Sequence, residues 1–370
     1  MSVVRSLPGK KLSVPDRGIL STEEASNTIG IKKVAIIYND DMDMMHGREH
    51  NIASWEGVID TAKRVEDAME REGIAATLIP LRDNVESFIK TLKTENADVI
   101  FNLCEGAMGK SVFEMNVAAM LELFSFRFTG SGSLTLGMAL HKARTKDMLY
   151  ANNIPTTPYL VLKEAPRESD MTLRFPLIVK PVQEDASIGI DEDAVVKNMA
   201  GLKKRVDYVF KNYKQPAIVE EYIDGREFNI SIIGNNIPRV LPVSEIDFSQ
   251  ISPNHPKICT YDAKWVTDSP IYMKTPPVCP ADISRELERK LFNIALKAYS
   301  VLGCRDYARI DMRMGGDGIP KILEVNPNPD ISPDAGFARS AMAGGISYSM
   351  LIFDIVKLAF DRYQSQEIHK

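Results

Sequence analysis

Cysteine is sparse in this chain: Cys104, Cys259, Cys279 and Cys304 stand far apart, with no C-x-x-C pair among them. That spacing argues against a disulfide framework and a zinc site, and points to reduced thiols buried as small hydrophobes in a reducing compartment. No apolar run approaches membrane-spanning length, and the opening Met1-Ser-Val-Val-Arg-Ser-Leu-Pro-Gly-Lys10 lacks the apolar core of a secretory signal. A cytoplasmic protein with no membrane partner is expected. Charge of one sign is also missing. The formal net charge is −5, and no basic run or basic-aromatic interleaving suggests nucleic acid as a partner. What is present is 44% hydrophobic content over 370 residues, ample for two or three domains.

Residues 1–30 are polar, with Pro8, Pro15 and no sustained period, and read as an N-terminal tail. Lys33–Tyr38, a helix near Glu56–Glu72, Ala76–Pro80, a helix near Asn84–Thr94 and Asp98–Leu103 then alternate as βαβαβ, which predicts a parallel sheet flanked by helices. A helix at about Val112–Leu123 leads to Phe128-Thr-Gly-Ser-Gly-Ser133, a turn-rich break that ends this first α/β domain at 31–132. A long helical pattern follows from Ser133 to Asn152. Beyond it come the strand Phe175–Pro181, a small-residue loop Val182–Gly189, a helix near Ala194–Asn212 and the strand Gln215–Glu220. Short strands (Glu227–Ile233, Arg239–Ser244), a helix at about Ile283–Leu302, an acidic hairpin and a closing helix near Ala341–Phe360 complete the pattern. The expectation is an α/β domain followed by two α+β lobes, at 133–220 and 221–370.

The hairpin carries the sharpest chemical signal. In Tyr307–Arg313 and Ile319–Asn326 polar side chains alternate with apolar ones, so Arg309, Asp311 and Arg313 share a face, as do Glu324 and Asn326. Gly315-Gly-Asp-Gly318 between them reads as the turn. If the strands pair, two carboxylates and an amide converge: hard oxygen donors, few in number, of the kind that bind Mg²⁺ while phosphate and water complete its shell. Such a site suits ATP; the competing reading is a solvated hairpin with scattered charges. Lys180 ends an apolar strand just before a loop containing Ser187 and Gly189, where an ammonium and backbone N–H groups can meet phosphate oxygens. Taken alone, Lys180 is better read as a snorkelling edge lysine. Lys142, in Leu140-His-Lys-Ala-Arg-Thr-Lys146, has the look of a residue on a solvated helix face and gains interest only from its company. The strand at Glu220 breaks at Asp224-Gly225. Glu221 to Ile223 could therefore offer backbone groups to adenine and Glu227 an acceptor to ribose, or the stretch is an ordinary strand-turn-strand.

In this order these motifs resemble the ATP-grasp superfamily, and within it most closely the D-alanine–D-alanine ligases, over roughly residues 32–360. Phe128-Thr-Gly-Ser-Gly, Tyr261-Asp-Ala-Lys-Trp265 and Leu302–Asp311 also look like landmarks of that family. The resemblance implies an N-terminal pre-ATP-grasp domain, a two-lobed ATP-grasp fold and a homodimer through the N-terminal domain. It implies ATP and Mg²⁺, with Mn²⁺ able to substitute, and small-molecule carboxylate and amine substrates joined through an acyl phosphate. By carry-over, Lys142 and Lys180 bind phosphates, Ser187 lies in the covering loop, and Glu220, Glu221 and Ile223 bind adenine. Glu227 binds ribose, Lys264 reaches phosphate or the second substrate, Arg309 is the transition-state cation, and Asp311, Glu324 and Asn326 hold the metal. Other classes compatible with the motifs are a non-catalytic ATP-binding protein and an ATP-grasp phosphotransferase.

Departures from the family gather around the amino-acid pocket. The family's Glu-Gly-Ser-Ser loop is Glu184-Asp-Ala-Ser187, its tyrosine after Ala-Lys is Trp265, and its His-Gly segment is Cys104-Glu-Gly-Ala-Met-Gly-Lys110. Its Glu-x-x-x-Ser signature is absent from Asp40–Ser54, and Asn328-Pro-Asp-Ile-Ser-Pro-Asp-Ala-Gly-Phe337 replaces Ser-Pro-Gly-Met and a carboxylate-binding serine. D-alanine is therefore not the expected substrate. Glu105, Asp330 and Asp334 could favour a cationic amine and Arg339 a carboxylate, although acids in such segments also serve as turn residues and caps. His46-Gly-Arg-Glu-His50 matches the H-x-x-E-H zinc-peptidase pattern, but Gly47 and the preceding Asp40–Met45 are poor helix material, and a mobile loop over the pocket is the expected role.

Overall fold

The computed structural model describes residues 30–40, 52–266 and 268–367. His46–His50 lies outside the described residues. Lys33–Asn39 (β1) is buried at every position but its first, as a strand covered on both faces requires. It is the centre of a three-stranded parallel sheet with Ala75–Leu81 (β2) on one side and Val99–Asn102 (β3) on the other. Ile52–Arg71 (α1) and Val85–Glu95 (α2) make the crossovers, and the Asn84 side chain caps α2 by accepting from the Ser87 N–H (2.8 Å). Glu114–Leu123 (α3) closes one face with Val117, Ala118 and Leu121.

The expected helix from Ser133 to Asn152 is two helices, Ser133–Leu140 (α4) and Lys142–Ala151 (α5). The break at His141 lets the Lys142 N–H leave the helical ladder and bond the Val182 carbonyl (3.1 Å), which ties α5 to the next lobe. That lobe is a four-stranded antiparallel sheet in the order β4-β7-β5-β6, made of Tyr159–Leu162 (β4), Leu177–Pro181 (β5), Val195–Val196 (β6) and Ala217–Glu221 (β7). Met199–Tyr213 (α6) packs on it through Leu202, Val206 and Val209. This helix starts later than the pattern suggests, because Asn198 caps it and Val195–Val196 pair with β5.

The last sheet is antiparallel, with the path β11-β10-β8-β12-β13 and β9 attached to β8. Its strands are Arg226–Ile233 (β8), Arg239–Val240 (β9), Ser244–Ile246 (β10), Pro277–Val278 (β11), Tyr307–Met314 (β12) and Pro320–Asn326 (β13). The expected strand Arg239–Ser244 is thus split between β9 and β10. Two short helices, Tyr261–Trp265 (α7) and Pro270–Met273 (α8), lie along the chain between β10 and β11. Arg285–Val301 (α9) covers the apolar face, where Leu291, Ala295 and Ala298 meet Phe228, Ile230, Ile310 and Met312.

The closing helix is also two, Gly336–Ala343 (α10) and Tyr348–Glu367 (α11), because Gly344-Gly345 intervenes and Gly345 has φ +79°. α11 returns to the first sheet. Its Leu351, Ile355, Val356 and Ala359 are wholly buried in one core with Val34 and Ile36 of β1, Val65 of α1 and Phe101 of β3. No single described helix is long and apolar enough to cross a membrane.

Asp306, immediately before β12, locks these parts together. It is fully buried at φ +63°, and its carboxylate accepts from Gly130 N–H (2.9 Å), Asn235 Nδ2 (2.9 Å) and Arg362 Nε and Nη2 (3.2 and 2.9 Å). Arg362, on α11, also donates to the Phe128 carbonyl (2.8 Å), and Thr129 N–H bonds the Ile100 carbonyl in β3 (2.9 Å). One buried ion pair thereby indexes the start of β12 to the N-terminal sheet.

Candidate active site

Antiparallel pairing sets the polar face of the last sheet. Asp311 lies opposite Glu324 on one side and Asn229 on the other, Arg309 lies opposite Asn326, and Arg313 lies opposite Glu227. Directly opposed residues project to the same face, so all seven polar side chains share it. A register shift between Asp311 and Met312 moves the pairing of β12 with β13 by one residue just beyond the Asp311–Glu324 pair.

Arg309 grips Asp311 with two parallel bonds, Nε to Oδ1 and Nη2 to Oδ2, both 2.8 Å. Asn229 and Asn326 each donate a further bond to that carboxylate (2.7 and 2.9 Å). Glu324 stands 3.6 Å from Lys142 Nζ. Burial would raise the Glu324 carboxyl, but Lys142, Lys180, Lys264 and Arg309 pull it down to about 2.

A second cationic cluster lies between the lobes. Glu220, 1% exposed, is bonded by Lys146 Nζ (2.9 Å) and Lys180 Nζ (2.8 Å) and accepts from the Thr157 hydroxyl. Burial again opposes the charge, and Lys146 and Lys180 overcome it, holding the carboxyl at about 2. Lys146 was not among the sequence candidates. It stands one helical turn beyond Lys142, so the i, i+4 spacing was visible, but a basic helix stretch reads by default as solvated.

The other candidates divide. Ser187, Lys264, Glu227, Arg309, Asp311 and Glu324 line a cavity of about 600 Å³, whereas Lys142, Lys180, Glu220, Glu221, Ile223 and Asn326 stand outside its lining. Glu227 pairs with Arg313 (2.8 Å), and Glu221 pairs with Arg174 (3.0 Å) at the surface. The Ile223 carbonyl accepts from Arg313 Nη1 (3.2 Å). As the structure stands, these contacts use all three carboxylates that the resemblance assigns to adenine and ribose, Glu220, Glu221 and Glu227.

The loop after β5 doubles back, with Ala186 and Ser187 both at positive φ (54° and 61°). It is latched to the segment containing α7: the Trp265 indole N–H donates to the Ala186 carbonyl (2.9 Å), Ser187 Oγ donates to the Cys259 carbonyl (3.0 Å), and Tyr261 N–H donates to the Ile190 carbonyl (3.0 Å). The N-terminal domain supplies Asp60, Asn102, Glu105 and Glu114 to the cavity lining, and the segment after β13 supplies Asn328, Asp330, Asp334 and Arg339. Glu105 opens into the cavity while protein surrounds it, and burial together with Asp330 raises its carboxyl to about 7. Arg339 donates to the Asp334 carbonyl (2.5 Å). Among the described residues no group of three or more His, Cys, Asp or Glu side chains is arranged to hold a metal.

The family model for the D-ala D-ala ligase C-terminus matches residues 148–357. A D-alanine–D-alanine ligase of Carboxydothermus hydrogenoformans is 31% identical over 306 residues, 80% of this chain and 91% of the relative. An uncharacterized protein, y4sG of Sinorhizobium fredii, is 35% identical over 265 residues, 72% of this chain and 75% of that one. Among solved structures, the D-alanine–D-alanine ligase of Bacillus anthracis superposes with TM-score 0.71 at 22% identity, covering 90% of this chain and 99% of that one; its complex with ATP gives 0.68. With this match and the sheet order above, the chain belongs to the D-alanine–D-alanine ligase family of ATP-grasp enzymes, which form C–N bonds at the expense of ATP.

Proposed function

We propose that this ligase activates a small-molecule carboxylate as an acyl phosphate and joins it to an amine other than D-alanine. The observation that carries the reading is the shared face of Arg309, Asp311, Glu324 and Asn326, the first three of which line an acid-lined cavity. A carboxylate oxygen attacks the γ-phosphorus and ADP leaves. The amine nitrogen then attacks the acyl carbon, a tetrahedral oxyanion forms, and phosphate departs as the nitrogen loses its proton. Asp311, Glu324 and Asn326, through its Oδ1, would hold Mg²⁺, which would neutralise phosphate charge. Lys142, Lys180 and Lys146 supply positive charge along the nucleotide path. Arg309 would meet the oxyanion, and the latched Ala186–Ser187 loop would shield the acyl phosphate from water.

The substrate reading follows from the walls. Asp60, Glu105, Glu114, Asp330 and Asp334 around the cavity favour an amine that carries an additional positive charge, with Arg339 as a carboxylate partner. Ala186 and Trp265 offer no hydroxyl where the family has serine and tyrosine, and this weakens the case for D-alanine. The test is ADP release with Mg²⁺-ATP against a panel of D- and L-amino acids, dipeptides and amines, with Asp311→Asn as the blank and mass spectrometry for the amide. Turnover with cationic amines and none with D-alanine is expected. D-alanine as the preferred amine would sink the substrate reading, and a phosphorylated product without an amide would sink the ligase chemistry.

A further inference from the structure

Lys142 is 5% exposed, and its ammonium faces three protein oxygens: the Glu184 carbonyl (2.5 Å), Asp185 Oδ1 (3.2 Å) and Glu324 Oε2 (3.6 Å). An ammonium has three N–H donors, so a phosphate can meet Lys142 at hydrogen-bond range only by taking the place of one of these oxygens. Two of them are held by their surroundings. Glu184 is buried, and its carboxylate accepts from Gln215 Nε2 (2.9 Å), which anchors the start of the loop after β5. Glu324 belongs to β13 and is paired opposite Asp311. Asp185 is the exception, because its side chain is 43% exposed and is carried by the loop.

The loop itself brings Asp185 to the lysine. Ile188 N–H closes the turn on the Asp185 carbonyl (2.9 Å), and the positive φ at Ala186 and Ser187 folds the chain back. The latch to the α7 segment uses the Ala186 carbonyl and the Ser187 hydroxyl and does not involve the Asp185 side chain. The carboxylate can therefore leave Lys142 by rotating about its own side-chain bonds while the loop stays latched. The family's Glu-Gly-Ser-Ser loop has glycine at this position and no carboxylate to offer, so the contact belongs to this chain's own sequence.

We infer that Asp185 is a resident counter-ion on Lys142 that an incoming phosphate displaces, and that it thereby sets the affinity for nucleotide. This deepens the ligase reading and rests on it for Lys142 as a phosphate ligand. With no nucleotide bound, the carboxylate keeps a buried ammonium paired; breaking that pair is a cost that every nucleotide meets on entry. The partial exposure of Asp185 screens the pair and keeps the cost small enough for ATP to overcome.

The experiment is a double-mutant cycle read by calorimetry, with the β,γ-imido analogue of ATP and Mg²⁺ as the probe. It compares the full chain with Asp185→Ala, Lys142→Met and the double variant. Asp185→Ala is expected to bind the probe about fivefold more tightly than wild type, and Lys142→Met more weakly. In the Lys142→Met background the gain from Asp185→Ala should vanish, because the contact it removes is already gone. An equal gain in both backgrounds would mean that Asp185 acts only through the general field of its charge, and would overturn the inference. Unchanged or weaker binding by Asp185→Ala, with Lys142→Met still impaired, overturns it too and leaves Lys142 as a phosphate ligand. Wild-type affinity in Lys142→Met would remove that role from the ligase reading and the inference with it. If Lys142→Met fails to fold, Lys142→Gln closes the same cycle.

Discussion

Replacing Asp306 with alanine removes a carboxylate that accepts from Gly130, Asn235 and Arg362, all in a fully buried setting. The guanidinium of Arg362 is left with the Phe128 carbonyl but without its counter-charge. Breaking one side of a buried ion pair costs about 3–5 kcal/mol, because the remaining charge stays desolvated. Asp306→Ala should therefore lower unfolding stability by that amount in urea, followed by circular dichroism. Asp306→Gly recovers part of the loss, because glycine takes φ +63° without strain, a relief of about 1 kcal/mol. Arg362→Met alone should also destabilise. The double variant should cost less than the sum of the singles by about 2 kcal/mol, as partners in one network do. A loss under about 1 kcal/mol for Asp306→Ala, or strict additivity in the cycle, would refute the view that this ion pair carries the junction.

The Glu220 carboxyl is depressed from 4.5 to about 2, so its contribution to stability is complete above pH 4.5 and disappears as pH falls toward 2; the size is on the order of 3 kcal/mol. Lys146→Met removes one of its two cations and should move that loss to higher pH; a stability profile parallel to wild type across this window would contradict the assignment. Gly225→Ala would place a Cβ 2.0 Å from the Met314 carbonyl oxygen, a backbone clash expected to cost more than about 3 kcal/mol and to abolish soluble expression, and normal yield with wild-type melting would count against it. Trp265→Phe removes the bond to the Ala186 carbonyl while keeping an aromatic ring. It should raise ATP hydrolysis uncoupled from amide formation, and an unchanged ratio of ADP to amide would show that the latch does not control water entry.

Much of the fold was legible because periodicity is a local property. The alternation in Tyr307–Arg313 and Ile319–Asn326 marked one polar face, and pairing puts Asp311 opposite Glu324 on it. The βαβαβ reading matched the parallel sheet for the same reason. Helix breaks were less legible: the pattern across His141 continues smoothly, and only the tertiary bond from Lys142 N–H to Val182 interrupts it. Gly344-Gly345 was a visible stop signal that the apolar pattern on either side masked. The pairing of Lys146 with Glu220 depends on strands far apart in the sequence, as does the role of Asp306, whose left-handed backbone leaves no mark in a string of residues.

The burial of α11 against β1, α1 and β3 bears on how this protein can be recombined. The first sheet is encoded at one end of the described chain, yet one wall of its interior is encoded at the other. During synthesis Val34, Ile36 and Phe101 must wait, partly uncovered, until the final helix emerges, a window in which chaperones have a surface to hold. A chimera that exchanges the N-terminal sheet with a relative at the Phe128–Ser133 turn would import half of a core. It will keep a native interior only if α11 travels with that sheet, so the unit of inheritance for this domain is two segments of gene rather than one.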